Sequence, residues 1–392
     1  MSLSPVIIDN GNCFIKYGRC EDEAPQKFRT LIGKPKPKWR LSEEFAGEGQ
    51  PAALFGEQAL EHPKLRVTNP MEHSQIEDMA DMTEIWQHVF RDRLETSPED
   101  QALLMTEPPF NPRPVREKMG EALFETLGVP HLQLAVASLL ALYGEGRTSG
   151  LVVDVGDGGV LALPVQQGYV MSHLMRRNEF GGAEVTDRLR TLLVEKQISL
   201  FKNRHYEIAR RMKESHCFVS QDPEAEAEGR GRGSLSPPSS SLFPLGEVLS
   251  NGISEVEVGA EAWMAPEALF DPGGTEGRDD EGIPSLVAGV LKSLAIDTRG
   301  DLMKSVVLTG GGSLCPGIGP RLETELKERL PAGTAPGALR VLTSSKGADS
   351  WFAGAKSWLE MQQTSDVWVS QAEWHEHGAS ILEQKNLMSG QF

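Results

Sequence analysis

Four cysteines, at 13, 20, 217 and 315, serve a chain of 392 residues, and no two of them stand at CxxC spacing. That density is too low for a disulfide scaffold. The nine histidines form no HExxH pattern, so neither zinc nor haem is expected, and four reduced thiols point to a reducing compartment. No apolar run reaches the ~18 residues of a membrane helix. The opening MSLSPVIIDN lacks the basic region and apolar core of a secretory leader. Positive charge is also in deficit: 39 Lys plus Arg stand against 56 Asp plus Glu, a formal net charge of −17. Such a surface repels phosphate backbones and anionic lipid, so direct nucleic-acid binding and membrane insertion are not expected. What is present is ordinary for a globular protein: 39% hydrophobic and 24% charged residues, which excludes disorder of the whole chain. At ~100–200 residues per domain, the length predicts two or three packed units.

Strand and helix signals alternate along the chain. VIIDNG at 6–11, ALLMTEPP at 102–109, LVVDVGDGG at 151–159 and SVVLTGGGSLCPG at 305–317 read as apolar strands stopped by Asp, Pro or Gly. Met79, Met82, Ile85, Trp86 and Val89 share a helical face, as do Val115, Met119, Leu123 and Leu127, with Pro114 suited to a first turn. HLQLAVASLLALY at 131–143 carries no charge and predicts a helix buried on every side. Ile318, Leu322, Leu326 and Leu330 mark a further helix, with Glu323–Lys327 and Glu325–Arg329 as supporting pairs. Residues 34–55 and 271–282 read as loops. Residues 222–241 run from acidic to Gly/Arg to Ser/Pro and read as a disordered insertion. The pattern is α/β.

The informative feature is a repeat. A strand followed by Asp-x-Gly occurs at Asp9–Gly11 and again at Asp154–Gly156. A strand ending in a glycine turn points backbone N–H groups outward and can cradle phosphate. Two carboxylates facing a polyphosphate make chemical sense when Mg²⁺ and its waters lie between them, which casts Asp9 and Asp154 as water-mediated metal residues. Lys16 can reach a terminal phosphate as a point charge. The LTGGGS turn at 308–313 offers close backbone approach to a base or ribose.

DNG with Lys16, APQKFRTLIGKPK, NPMEH, LLMTEPPFNP, LLALYGEGRTSGLVVDVGDG, YEIARRMKESHCFV and VVLTGGGSLCPGIGPRLE occur in the order and largely at the spacing of actin and the actin-related proteins. The chain resembles that family from about residue 5 to its end. The resemblance implies a two-lobed, four-subdomain fold with duplicated ribonuclease-H-like cores and a central cleft for ATP or ADP with Mg²⁺. It implies subdomain 1 at 1–33, 70–144 and 349–392, subdomain 2 at 34–69, subdomain 3 at 145–180 and 279–348, and subdomain 4 at 181–278. Asp9, Gly11, Asn12 and Lys16 match the family's first phosphate hairpin, and Asp154, Gly156, Asp157 and Gly158 its second. Gly182, Arg210, Lys213 and Glu214 match nucleoside-side residues, Gly310 and Gly311 the adenosine turn, and His73 the histidine near the phosphates.

Several positions depart from the family pattern. Ala137 stands where the family has a water-orienting glutamine, and Leu161 where it has a histidine. Water-positioning groups typically contribute ~10²–10⁴-fold, so slow hydrolysis or none is expected. Asn12 and Val155 replace hairpin serines, Cys13 a glycine, Cys315 a tyrosine at the base and Gly347 a lysine, with Lys346 adjacent. The polar 271–282 loop and the acidic 39–53 tip stand where the family polymerises. Tyr143, Gly146, Thr148, Gly168 and Tyr169 match a groove for partner segments or hold the hinge. The expected function is a structural or regulatory subunit of a multiprotein cytoskeletal assembly, in the cytoplasm and cytoskeleton. Its expected partners are other protein subunits, with actin or another actin-related protein among the candidates. A polymerising ATPase, a subunit of a nuclear chromatin-remodelling complex and a kinase of the same superfold are the alternatives.

Overall fold

A computed structural model describes residues 4–36, 53–200, 203–228, 242–246, 252–273, 281–330, 337–344, 346–361 and 367–385. The chain divides into two compact units, the first comprising 1–148, 167–170 and 349–392, the second 149–166 and 171–348.

In unit 1, strand β1 (Val6–Asn10) turns back into β2 (Phe14–Arg19), which turns again into β3 (Gln26–Arg29), all antiparallel. On its other side β1 pairs in parallel with β4 (Ala102–Thr106), and β4 in parallel with β5 (His131–Ala135). The short strand Val369–Ser370 closes that edge. Val6, Ile7 and Ile8 are 0% exposed. Such continuous apolar runs are what strands covered on both faces require. Helix Met79–His88 buries Met82, Ile85 and Trp86, and its N-cap Asp78 accepts from Asp81 N at 2.9 Å.

Unit 2 repeats the plan. Strand β6 (Gly150–Val155) turns into β7 (Val160–Gln166), which pairs antiparallel with β8 (Arg176–Asn178). On its other side β6 pairs in parallel with β9 (Val306–Thr309), and β9 in parallel with β10 (Val341–Thr343). Each unit therefore has a three-stranded antiparallel meander whose first strand continues into two parallel strands. Each has its own core, around Trp86, Phe90 and Leu103 in unit 1 and around Val153, Leu189 and Leu308 in unit 2.

Three expectations change. Residues 131–143 are not one helix: His131–Ala135 is β5, Val136 is extended, and the helix spans Ala137–Gly144. A strand flanked on both sides is as apolar as a buried helix, so periodicity cannot separate the two. The helix read over 114–127 spans Arg113–Gly120 and then widens into π turns at Glu121–Thr126. Within 222–241, Pro223–Ala227 forms a short helix whose cap, Asp222, accepts from Ala225 N at 3.0 Å. Residues 229–241 lie outside the described residues, as do 39–52 and 274–280 of the two acidic loops.

Candidate functional site: two glycine hairpins

Beyond its buried stretch, β1 ends in a turn that requires glycine at 11, because a Cβ there would sit 2.4 Å from the Phe14 carbonyl oxygen. The turn is tied from behind. Thr30 Oγ1 donates to Gly11 O (2.7 Å), Asn69 Nδ2 to Asn12 O (2.8 Å) and an Arg29 guanidinium nitrogen to Cys13 O (2.9 Å). Since a trans peptide holds C=O and N–H antiparallel, those bonds aim the N–H groups of Asn12 and Cys13 the opposite way. The hairpin is thus built with its donors outward.

Asp9 is oriented by a buried network. Thr106 Oγ1 donates to Asp9 Oδ1 (2.7 Å) and accepts from Asn10 N (3.1 Å). Asn10 Nδ2 in turn donates to Thr106 O (3.0 Å), and Trp86 Nε1 donates to Asn10 Oδ1 (3.0 Å). Lys16 lies opposite Asp9 in the β1–β2 ladder. Its Nζ is 3.8 Å from Asp9 Oδ2, 3.7 Å from Asp349 Oδ1 and 5.7 Å from the centre of the Trp351 ring. His73 sits at φ +44° in the turn of the small hairpin Met71–Glu72/Gln75–Ile76.

In unit 2 the turn after β6 is closed by Gly156 N donating to Gly159 O (2.9 Å). The helix Gly182–Glu195 docks on this turn, with Gly182 N on Gly156 O and Ala183 N on Asp157 O, both 2.9 Å. Lys213 Nζ donates to Gly182 O at 2.6 Å. Gly156, Asp157, Gly182 and Lys213 therefore form one cluster, and the adjoining Gly158 is buried. Gly310 belongs there for a steric reason: it holds φ +86°, and a Cβ would lie 2.3 Å from Asp154 Oδ1. Around Gly311, by contrast, a Cβ would meet nothing within 4 Å, so the turn has open space beside it.

Arg210 is spoken for. It pairs with Glu207 and, at 2.5 Å, with Glu214 within the helix Asn203–His216. Burial opposes its charge, but the two carboxylates more than offset that and raise its pKa. Cys315 Sγ lies 3.8 Å from Cys217 O. Burial pushes the Cys315 thiol up to about 12 and raises Cys217 strongly as well, so both are inert thiols at neutral pH.

The departures have physical consequences. Val155 is 0% exposed in the unit 2 core, and a Cβ on Gly312 would be 2.5 Å from its Cγ1. Its side chain is therefore packing material and carries no hydroxyl toward the turn. Leu161 faces Asp154 across the β6–β7 ladder and is 7% exposed. Ala137 opens its helix and offers no polar side-chain atom. The partner-groove residues are all in unit 1. Gly168 N donates to Thr148 O (2.7 Å), Tyr143 OH lies 3.5 Å from Gly168 O, Gly146 holds φ +68°, and Tyr169 stands 54% exposed. Burial raises the Tyr143 hydroxyl to about 12.

These residues fit a phosphate ligand in part. In unit 1 the turn at Gly11 suits it, with the oriented Asp9 carboxylate placed for a cation's waters; in unit 2 the open Gly311 turn suits it, while Val155 and the committed Arg210 add nothing. Among the described residues no group of three or more His, Cys, Asp and Glu could hold a metal by itself. Sequence reasoning missed Thr106, which orients Asp9, and Asp349, which pairs with Lys16; neither lies at a sequence spacing that ties it to the hairpin.

Two α/β units of one strand plan, each presenting an Asp-bearing strand that ends in a glycine hairpin, define a duplicated α/β class. Comparison with known proteins narrows the class. The family model for actin matches residues 1–387, and an actin-like protein of Neurospora crassa is 32% identical over 377 residues, 95% of this chain and 96% of that protein. The chain belongs to the actin family.

Proposed function

We propose that this actin-family chain is a structural or regulatory subunit of a multiprotein cytoskeletal assembly, and that it binds Mg–ATP or Mg–ADP weakly and hydrolyses it little. The observation that carries the reading is the pairing of Asp154 with Leu161 across the second hairpin. The strand position opposite the candidate metal carboxylate holds a buried aliphatic side chain, which can neither orient a water nor relay its proton. Ala137 removes the second polar group that the family resemblance places beside the reaction. Bound Mg²⁺ would supply charge neutralisation of the phosphates, and in each hairpin the strand-end carboxylate, Asp9 in unit 1 and Asp154 in unit 2, is the residue that would hold its waters. The hairpins bind and position; no side chain named here activates water. Bound nucleotide then stabilises the fold without turnover. The exposed Tyr169 beside Tyr143 and Gly168 supports partner docking on unit 1.

The test is direct. Purified protein is denatured and its supernatant analysed for adenine nucleotide, phosphate release from Mg–ATP is followed, and the protein is sedimented in polymerising salt. We expect less than one nucleotide per chain, background phosphate release and no pellet. Hydrolysis at the rate of conventional actin, or concentration-dependent filaments of this chain alone, would overturn the proposal.

A further inference from the structure

The lysine of the first hairpin faces more negative charge than a phosphate site needs. Lys16, whose side chain is 15% exposed, stands between two carboxylates, Asp9 Oδ2 at 3.8 Å and Asp349 Oδ1 at 3.7 Å. The two acids differ in their other commitments. Asp9 is held by Thr106 Oγ1 and is the candidate metal residue. Asp349 comes from the far end of the chain and immediately precedes the helix Ser350–Met361, where a carboxylate is favoured by the helix dipole. That helix is set rigidly against Ala137–Gly144. A Cβ on Gly354 would lie 1.7 Å from Leu140 O, and one on Gly144 would lie 2.0 Å from Ser350 O. Two backbones in such close contact fix the helix start, and with it the Asp349 backbone, within reach of Lys16.

We propose that Asp349 is a built-in counter-ion for Lys16 that weakens the hold of this hairpin on phosphate, and so sets the affinity of unit 1 for polyphosphate ligands. The proposal rests on the reading that the hairpin takes phosphate. A phosphoryl oxygen approaching Lys16 must share the ammonium with Asp349 and meets its negative charge directly. The Asp349 side chain is 46% exposed, so solvent screens the effect. The expected gain on removing the charge is about two- to fivefold in affinity, the range of a partly exposed ion pair.

The experiment uses the full chain and two probes, Mg–ATP and inorganic tripolyphosphate, titrated calorimetrically into the natural protein, Asp349→Asn, Lys16→Met and the double variant. Asp349→Asn is isosteric at a half-exposed site, and its thermal unfolding checks the fold. We expect Asp349→Asn to bind both probes about two- to fivefold more tightly, with the gain absent in the Lys16→Met background. Unchanged affinity in Asp349→Asn, while the natural protein binds, overturns the role of Asp349 and leaves the functional reading intact. A gain that persists in the Lys16→Met background also overturns it. Binding only after Asp349→Asn supports the counter-ion role and overturns weak nucleotide binding by the natural chain. No binding by either protein overturns both.

Discussion

Gly310 holds the turn after β9 in a conformation that few other residues can take. Its φ of +86° and the 2.3 Å approach of a Cβ to Asp154 Oδ1 make Gly310→Ala doubly unfavourable. We expect a loss of ~2 kcal/mol or more in denaturant unfolding, combining left-handed strain with displacement of Asp154. Gly311→Ala, one position on, meets nothing within 4 Å and serves as the control with little change. Thr106 is the corresponding residue in unit 1, since one hydroxyl both donates to Asp9 and accepts from Asn10 N. Such residues are invisible to motif reading. Asp9, Gly11 and Lys16 stand within eight consecutive positions, whereas Thr106 reaches Asp9 only because β1 and β4 pair in parallel with Ile8 beside Met105.

The helix Gln371–His377 illustrates how a short element is secured by polar chemistry. Ser370 Oγ accepts from Glu373 N (3.2 Å) and Glu373 Oε2 accepts from Ser370 N (2.9 Å), a reciprocal cap, while Lys385 Nζ donates to Glu373 Oε1 (2.7 Å). The Lys385 hydrogen bond, followed by that of Ser370 N, lowers the Glu373 pKa from 4.5 to about 2. A folded pKa below the unfolded one gives stability that is fully present above about 4.5 and is lost as pH falls toward about 2. Glu373→Gln keeps the cap acceptor and removes the charge. Hydrogen exchange over 371–384 should therefore show weaker protection than the natural protein near pH 7 and a shallower further loss on acidification. An equal acid slope in both proteins would refute the assignment.

Strands proved the most legible elements. β1, β4, β6 and β9 each announce themselves as apolar runs stopped by Asp, Pro or Gly, but the hairpin signals after β1 and β6 mark only their antiparallel partners; the parallel pairings of β1 with β4 and of β6 with β9 join segments far apart in the chain. The failure at 131–143 has a clear origin, for a strand covered on both sides and a helix buried all round have the same composition. The π turns at Glu121–Thr126 were equally unreadable. They lie next to Gly120, where a Cβ would be 2.4 Å from the Trp374 ring, and that neighbour is remote in sequence.

As a whole molecule, the chain interleaves its two units unequally. Unit 2 is drawn almost entirely from one stretch, 149–166 and 171–348, whereas unit 1 needs the first 148 residues together with everything from 349 onward. The amphipathic signals at 79–89 and 318–330 gave no hint of this asymmetry, because hydrophobic periodicity records which face is buried and not against which distant segment. A ribosome delivers these parts in order. The hairpin of Asp9 and Lys16 is made first, yet the helix at 350–361 and the strand at 369–370 that complete its unit are made last, whereas unit 2 has all its strands as soon as residue 343 emerges. Nascent chains stalled after residue 348, extended by a linker that clears the exit tunnel, should therefore show unit 2 resistant to protease and residues 4–148 still cleavable. Release of the full chain should then protect both. The oldest part of the polypeptide is thus the last to be finished, and during synthesis it must wait in partly folded form for its closing segment.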